Sequence, residues 1–256
     1  MSDFFDTDAQ LAGSVTGSGS PVLLLHSLAL SRAMWTPEII ELFSAHHQLI
    51  TVDLPGHGES PIGDSATIED MAERVALMLE NRGVSRTTVV GASMGGCVSQ
   101  ALAIGHPNLV VALGLVDTTS SYHDPESWAT RAETARVKGF AAMAEFQGTR
   151  WFTPEFRQSQ PEQFERLMKI FTQMDLDAYA VVCHAMGAVD LTARLPEITA
   201  QTAIVVGAED RATPPGHSEI LATGIAGASF TVLLHASHLG IIERPREVFA
   251  ALRHIM

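Results

Sequence analysis

The segment Val89-Val90-Gly91-Ala92-Ser93-Met94-Gly95-Gly96 constrains this chain more than any other. Thr87 to Val90 reads as a strand, and Cys97 to Ala103 continues at once as a helix. Between them Gly91-x-Ser93-x-Gly95 has the form of a nucleophile elbow. In such a turn the serine backbone is strained. Side chains two residues before and two after it would collide, so both positions are glycine. The strain lifts the Ser93 hydroxyl off the sheet edge, over the free N–H groups that begin the next helix.

The chain has 256 residues, 46% of them hydrophobic and 18% charged, which fits one α/β domain with a modest insertion. A formal net charge of −13 argues against nucleic acid and anionic membrane as partners. It also means that an anionic substrate needs a local arginine. Met1 to Ser20 carries Asp3, Asp6 and Asp8 and no apolar run, so no secretion leader is expected there. No run is long enough for a membrane span. Two cysteines, Cys97 and Cys183, without framework spacing suit a reducing cytoplasm. Cys97 reads as core.

In order, Gln10 to Thr16 reads as an edge strand and Gly17-Ser18-Gly19 as its hairpin turn. Pro21 to Leu25 is a strand buried on both faces, ending at His26-Ser27-Leu28. A short helix covers Trp35 to Phe43. Gln48 to Val52 is the next strand, and it leads into the turn Asp53 to Ser60. Thr67-Ile68-Glu69-Asp70 has capping-box form and opens a helix to about Arg82. The elbow and its helix follow, then a strand over Val110 to Val116 that ends at Asp117. Strands alternating with helices predict a mostly parallel, doubly wound α/β sheet, with ligands beyond the carboxyl ends of its strands.

From 119 to 195 the strand rhythm stops and the pattern turns helical. This stretch holds Trp128, Trp151, Tyr122, Tyr179 and more than half of the phenylalanines. It reads as a helical cap with an apolar underside, with 1–118 and 196–256 as the core. For any single aromatic, plain packing is the stronger reading. Strand rhythm returns at Thr202 to Gly207 and at Ser229 to Leu234, and Arg246 to Ile255 is a closing helix.

A serine hydroxyl needs a base to take its proton, and a histidine base needs a carboxylate to orient it. The order serine, acid, histidine is met by Ser93, Asp210 and His238, each just past a strand. His235 is the rival base and Asp117 the rival acid. Glu209, beside Asp210, points elsewhere. His57 reads as structural, and His26 as orienting the loop after Leu25. His235 and His238 lack a third ligand, so neither zinc nor any other cofactor is expected. Two backbone donors must hold the tetrahedral oxyanion, and Met94 N–H and Leu28 N–H are the candidates.

Together these residues resemble the α/β-hydrolase superfamily over nearly the whole chain. His26-Ser27-Leu28, Met34-Trp35, Trp128 with Arg131, Arg150 to Pro154 with Phe156, and Gly207 to Asp210 with Thr213-Pro214-Pro215 are similar to the 3-oxoadipate enol-lactone hydrolases. That resemblance implies the α/β-hydrolase fold with the cap inserted after the sixth strand. It also implies a triad of Ser93, Asp210 and His238, and opening of a 3-oxoadipate enol-lactone to 3-oxoadipate in aromatic catabolism. Trp128, Arg131, Arg150, Trp151 and Arg32 become the substrate-binding candidates. Two departures stand out. Ala29 replaces a family glycine, and Gly187-Ala188 stands where the family commonly has Arg-Asp. The rival readings are an esterase or lactonase for another ester, a carbon–carbon bond hydrolase of ring-cleavage products, and a non-catalytic small-ligand receptor. The expected partner is a small lactone or ester, and the sequence leaves oligomeric state open.

Overall fold

The structure is a computed structural model that describes residues 1–256. Eight strands form one sheet in the order β1-β2-β4-β3-β5-β6-β7-β8. These are β1 (Ser2–Asp6), β2 (Leu11–Thr16), β3 (Ser20–Leu25), β4 (His47–Val52), β5 (Thr87–Ala92), β6 (Val110–Val116), β7 (Gln201–Gly207) and β8 (Ser229–Leu233). From β4 onward across the sheet every pairing is parallel, while β1 and β2 join antiparallel. Such central strands must be apolar on both faces. Accordingly, every residue of β5 and all but one of β6 are buried.

Helices α1 (Pro37–Ser44), α2 (Ile68–Asn81) and α3 (Met94–Gly105) connect the first parallel strands. Thr67 and Asp70 form the expected capping box at α2. Helix α3 is buried on nearly all sides, as its apolar composition requires. Between β6 and β7 the chain makes α4 (Pro125–Lys138), α5 (Ala144–Trp151), α6 (Pro154–Ser159), α7 (Pro161–Thr172) and α8 (Leu176–Ala188). Then α9 (Pro215–Gly224) follows β7, and α10 (Gly240–Glu243) and α11 (Pro245–Leu252) follow β8. No helix is long and apolar enough to cross a membrane.

Two expectations at the amino end are corrected. The edge strand is β1, because Phe4 faces β2 and its short acidic pattern still pairs along Ser2–Asp6. The Gly17-Ser18-Gly19 turn closes no hairpin, since β2 pairs with β4 and β3 lies on the far side of β4. Gly17 and Gly19 instead take positive φ where the chain passes close over the backbone oxygens of His47 and His46. Trp35 precedes α1, and the closing helix ends at Leu252 in a 3-10 turn.

Candidate active site

The elbow has the strain that its glycines imply. Ser93 sits at φ 54°, ψ −117°. A β-carbon on Gly91 would lie 2.2 Å from Gly95 O, and one on Gly95 would lie 2.2 Å from Leu25 O. The serine therefore projects above the join between β5 and α3, at the carboxyl edge of the sheet.

Three side chains from separate loops meet there. The Ser93 hydroxyl donates to His238 Nε2 over 2.8 Å. His238 Nδ1 lies 2.9 Å from Asp210 Oδ2 and 3.1 Å from its Oδ1. The carboxylate can only accept, so the ring proton sits on Nδ1. Asp210 is itself fixed by Ala212 N–H, Thr213 N–H and the Thr213 hydroxyl, at 2.7, 2.9 and 2.8 Å. All three groups are buried. The rivals are placed elsewhere. His235, three residues before His238 in the same loop, is exposed. The Asp117 carboxylate accepts from Gly207 N–H and Gly240 N–H, each over 2.8 Å, rather than from an imidazole.

Leu28 and Met94 are the expected donor pair. Both are buried, and neither N–H is spent on a protein acceptor. Behind Leu28 the two histidines brace the loop. Leu54 N–H donates to His26 Nε2 over 2.8 Å, and Ala29 N–H donates to His57 Nε2 over 3.1 Å. Each Nδ1 then donates to a carbonyl, Ser27 O and Pro55 O, over 2.9 Å. Ala29 takes φ 59°, the left-handed conformation that a glycine would adopt freely.

A cavity of about 220 Å³ opens over Ser93 and His238. Of the substrate-binding candidates it is walled by Trp128, Arg131, Arg150 and Trp151. Arg32 is not among them. Its guanidinium pairs with the buried Asp53 carboxylate and with Glu59. Moving the guanidinium away would leave the buried Asp53 charge unpaired, so Arg32 is a brace of the turn after β4. Arg131 donates to the Tyr179 hydroxyl and, over 2.8 Å, to Gln147 Oε1, and its charge lies 5.1 Å from the Trp128 ring centre. Arg150 makes one side-chain hydrogen bond, to Arg211 O over 3.4 Å, and its charge lies 5.7 Å from the Phe146 ring centre. Burial and the neighbouring Arg131 charge lower its pKa. Neither arginine has a carboxylate partner.

The underside of the helical segment is less apolar than expected. Phe140, Phe171, Tyr179 and Trp151 stack edge to face on one another, inside the segment. The cavity wall mixes Trp128 and Trp151 with Asp124, Ser127, Gln147 and the arginines. Two further wall residues carried no motif. Tyr122 packs edge-on against Trp128, with ring centres 4.9 Å apart. His217, near the start of α9, lies with its Nδ1 2.8 Å from Thr119 Oγ1. Their signal was only position, Tyr122 six residues past the end of β6 and His217 just past Pro214-Pro215.

Residues 22–252 match the family described as "Alpha/beta hydrolase family". This chain is an alpha/beta hydrolase. The hydrolase is 30% identical over 239 residues to 3-oxoadipate enol-lactonase 2 of Acinetobacter baylyi, covering 92% of this chain and 88% of that one. The crystal structure of an enol-lactonase from Burkholderia xenovorans matches with a TM-score of 0.91 at 30% identity, over 96% of this chain and 95% of that one. A thermophilic esterase from Thermogutta terrifontis, with malate bound, matches with a TM-score of 0.88 at 31% identity, over 95% and 92%.

Proposed function

We propose that this hydrolase opens a carboxylate-bearing lactone through an acyl-enzyme on Ser93, and that its substrate is a 3-oxoadipate enol-lactone or a close analogue. The carrying observation is the unbroken line Asp210–His238–Ser93, at a cavity with two arginines that lack acidic partners. Ser93 Oγ attacks the ring carbonyl while His238 Nε2 takes its proton, and Asp210 stabilises the imidazolium. The N–H groups of Leu28 and Met94 hold the oxyanion, each contributing about 3 kcal/mol to the lowering of the barrier. The ring oxygen then leaves as an enolate and takes the proton from His238. Water, activated by the same imidazole, hydrolyses the acyl-enzyme.

Residues 119–195 act as a cap that selects substrate, and 1–118 with 196–256 form the catalytic core. Arg131 and Arg150 would hold the substrate carboxylate, against the Trp128 and Trp151 walls. The Thermogutta terrifontis esterase was solved with malate, an anion, bound, which supports an anionic ligand here. Two buried, unpaired thiols fit a reducing cytoplasm. The test is turnover of the enol-lactone, followed as its loss from solution. Wild-type protein opens it and Ser93→Ala is slower by about a millionfold. Wild-type-like turnover by that variant would defeat the mechanism.

One observation favours a second reading, an esterase for a different substrate. Gly187 stands where the resemblance implies an arginine, and a β-carbon there would lie 3.0 Å from Trp128 Cβ, so a larger side chain must displace Trp128. A panel of neutral esters against carboxylate-bearing lactones separates the two.

A further inference from the structure

Asp117 is a buried carboxylate that the proposed reaction does not use. It lies at the end of β6, 1% exposed, and takes φ 49°, a left-handed conformation that is rare for a residue with a side chain. Strain of this kind persists only where its surroundings hold it in place.

The residues on either side of Asp117 grip the nucleophile. Ser93 N–H donates to Val116 O over 2.9 Å, and the Thr118 hydroxyl donates to Ser93 O over 2.6 Å. The Asp117 side chain grips the other two loops. Its Oδ1 accepts Gly207 N–H, three residues before Asp210, and its Oδ2 accepts Gly240 N–H, two residues after His238, each over 2.8 Å. Those loops also touch each other, through Glu209 N–H to Ala236 O over 2.9 Å. Both glycines are packed too closely to carry an unstrained side chain. A β-carbon on Gly207 would lie 2.4 Å from Ala236 O, and one on Gly240 would lie 3.1 Å from Asp117 Oδ2. Three consecutive residues thus touch all three loops of the site.

We infer that Asp117 is a positioning residue: its two oxygens set the separation of the acid loop and the base loop, and so the alignment of His238 between Asp210 and Ser93. The inference rests on the hydrolase reading of those three groups. Only a carboxylate offers an acceptor to both sides; an amide offers one, and an alanine none. Burial, with the Asp210 charge nearby, pushes the Asp117 pKa up, and the two N–H donors oppose that push.

The experiment compares wild type with Asp117→Ala and Asp117→Asn, each checked for folding by circular dichroism. The first readout is the rate at which a serine-directed phosphonate labels Ser93. The second is the low-field proton resonance of the His238–Asp210 hydrogen bond. The third is kcat and KM on a neutral activated ester. Asp117→Ala is expected to label about 100-fold more slowly, the scale of a misplaced catalytic group. Its resonance broadens or is lost, kcat falls, and KM holds. Asp117→Asn, which keeps one acceptor, recovers part of the rate. If the alanine variant does not fold, the asparagine variant decides by the same readouts. Folded variants that label at the wild-type rate with the resonance intact overturn the inference. Failure of wild type to label would instead sink the hydrolase reading, and the resonance, which needs no turnover, would still decide on Asp117.

Discussion

His57 accepts the backbone N–H of Ala29 at Nε2 over 3.1 Å, and Ala29 sits in the loop that carries Leu28. His26, with its ring centre 4.9 Å away, accepts Leu54 N–H in the same manner. Neither can take a second proton without losing that bond. Burial lowers the pKa of His26 to about 4 and that of His57, with the His26 charge adding, to about 3. In the unfolded chain both titrate near 6.5. Their stabilisation is therefore complete above that value and is lost as pH falls below it toward the folded values. Unfolding free energies from urea titrations down a pH series should fall below about pH 6.5, with a limiting slope of about 1.4 kcal/mol per pH unit for each histidine. His57→Gln should flatten the slope.

The two cavity arginines divide by their bonds. Arg150 is held by one long hydrogen bond to Arg211 O and by the face of the exposed Phe146 ring, so Arg150→Met should fold normally. It should raise KM for a carboxylate-bearing lactone about 10- to 100-fold, the worth of one hydrogen bond to a charged group. Turnover of a neutral phenyl ester should hold. Arg131 also ties Tyr179 to Gln147, so Arg131→Met should raise KM and lower the melting temperature together. Steady-state kinetics on both substrates check this.

Gly187 lies where α8 meets α4. A β-carbon there would come 3.0 Å from Trp128 Cβ and 3.1 Å from Pro125 Cα. Gly187→Ala should cost about 1–3 kcal/mol of stability by overpacking. It should also shift the tryptophan fluorescence, because Trp128 is pushed toward the cavity. Denaturation followed by fluorescence reads both.

Gly95→Ala should give no folded protein, because its β-carbon would meet the Leu25 carbonyl at 2.2 Å, where backbone cannot yield. Gly105→Ala, in the same helix, meets only Glu73 Oε1 at 3.4 Å. It should fold and gain up to about 1 kcal/mol from helix propensity. Expression and thermal melts of the pair are the check.

The sequence shows the elbow because one strained turn demands glycine at two fixed positions. It shows Asp210 and His238 because strand ends are legible from apolar runs. Strand partners are less so. Gly17-Ser18-Gly19 signals a turn, but nothing local says that β2 will pair with β4 rather than β3. Strand β1 is short, has two aspartates in five residues and is mostly exposed, so no periodicity marks it. Arg32 looked available because its partners Asp53 and Glu59 are more than twenty residues away along the chain. Tyr122 and His217 reach the cavity only through tertiary placement.

The segment from α4 to α8 leaves the end of β6 and returns to the neighbouring β7 through a narrow neck. There Ser121 bridges Asp190, Leu191 N–H donates to Ser120 O over 2.9 Å, and the Ser120 and Thr192 hydroxyls meet at 2.8 Å. Both ends of the insert thus stand side by side at one spot. A different helical cassette grafted at that spot would not require the sheet to be re-threaded, so the loops that carry Ser93, Asp210 and His238 would keep their connections.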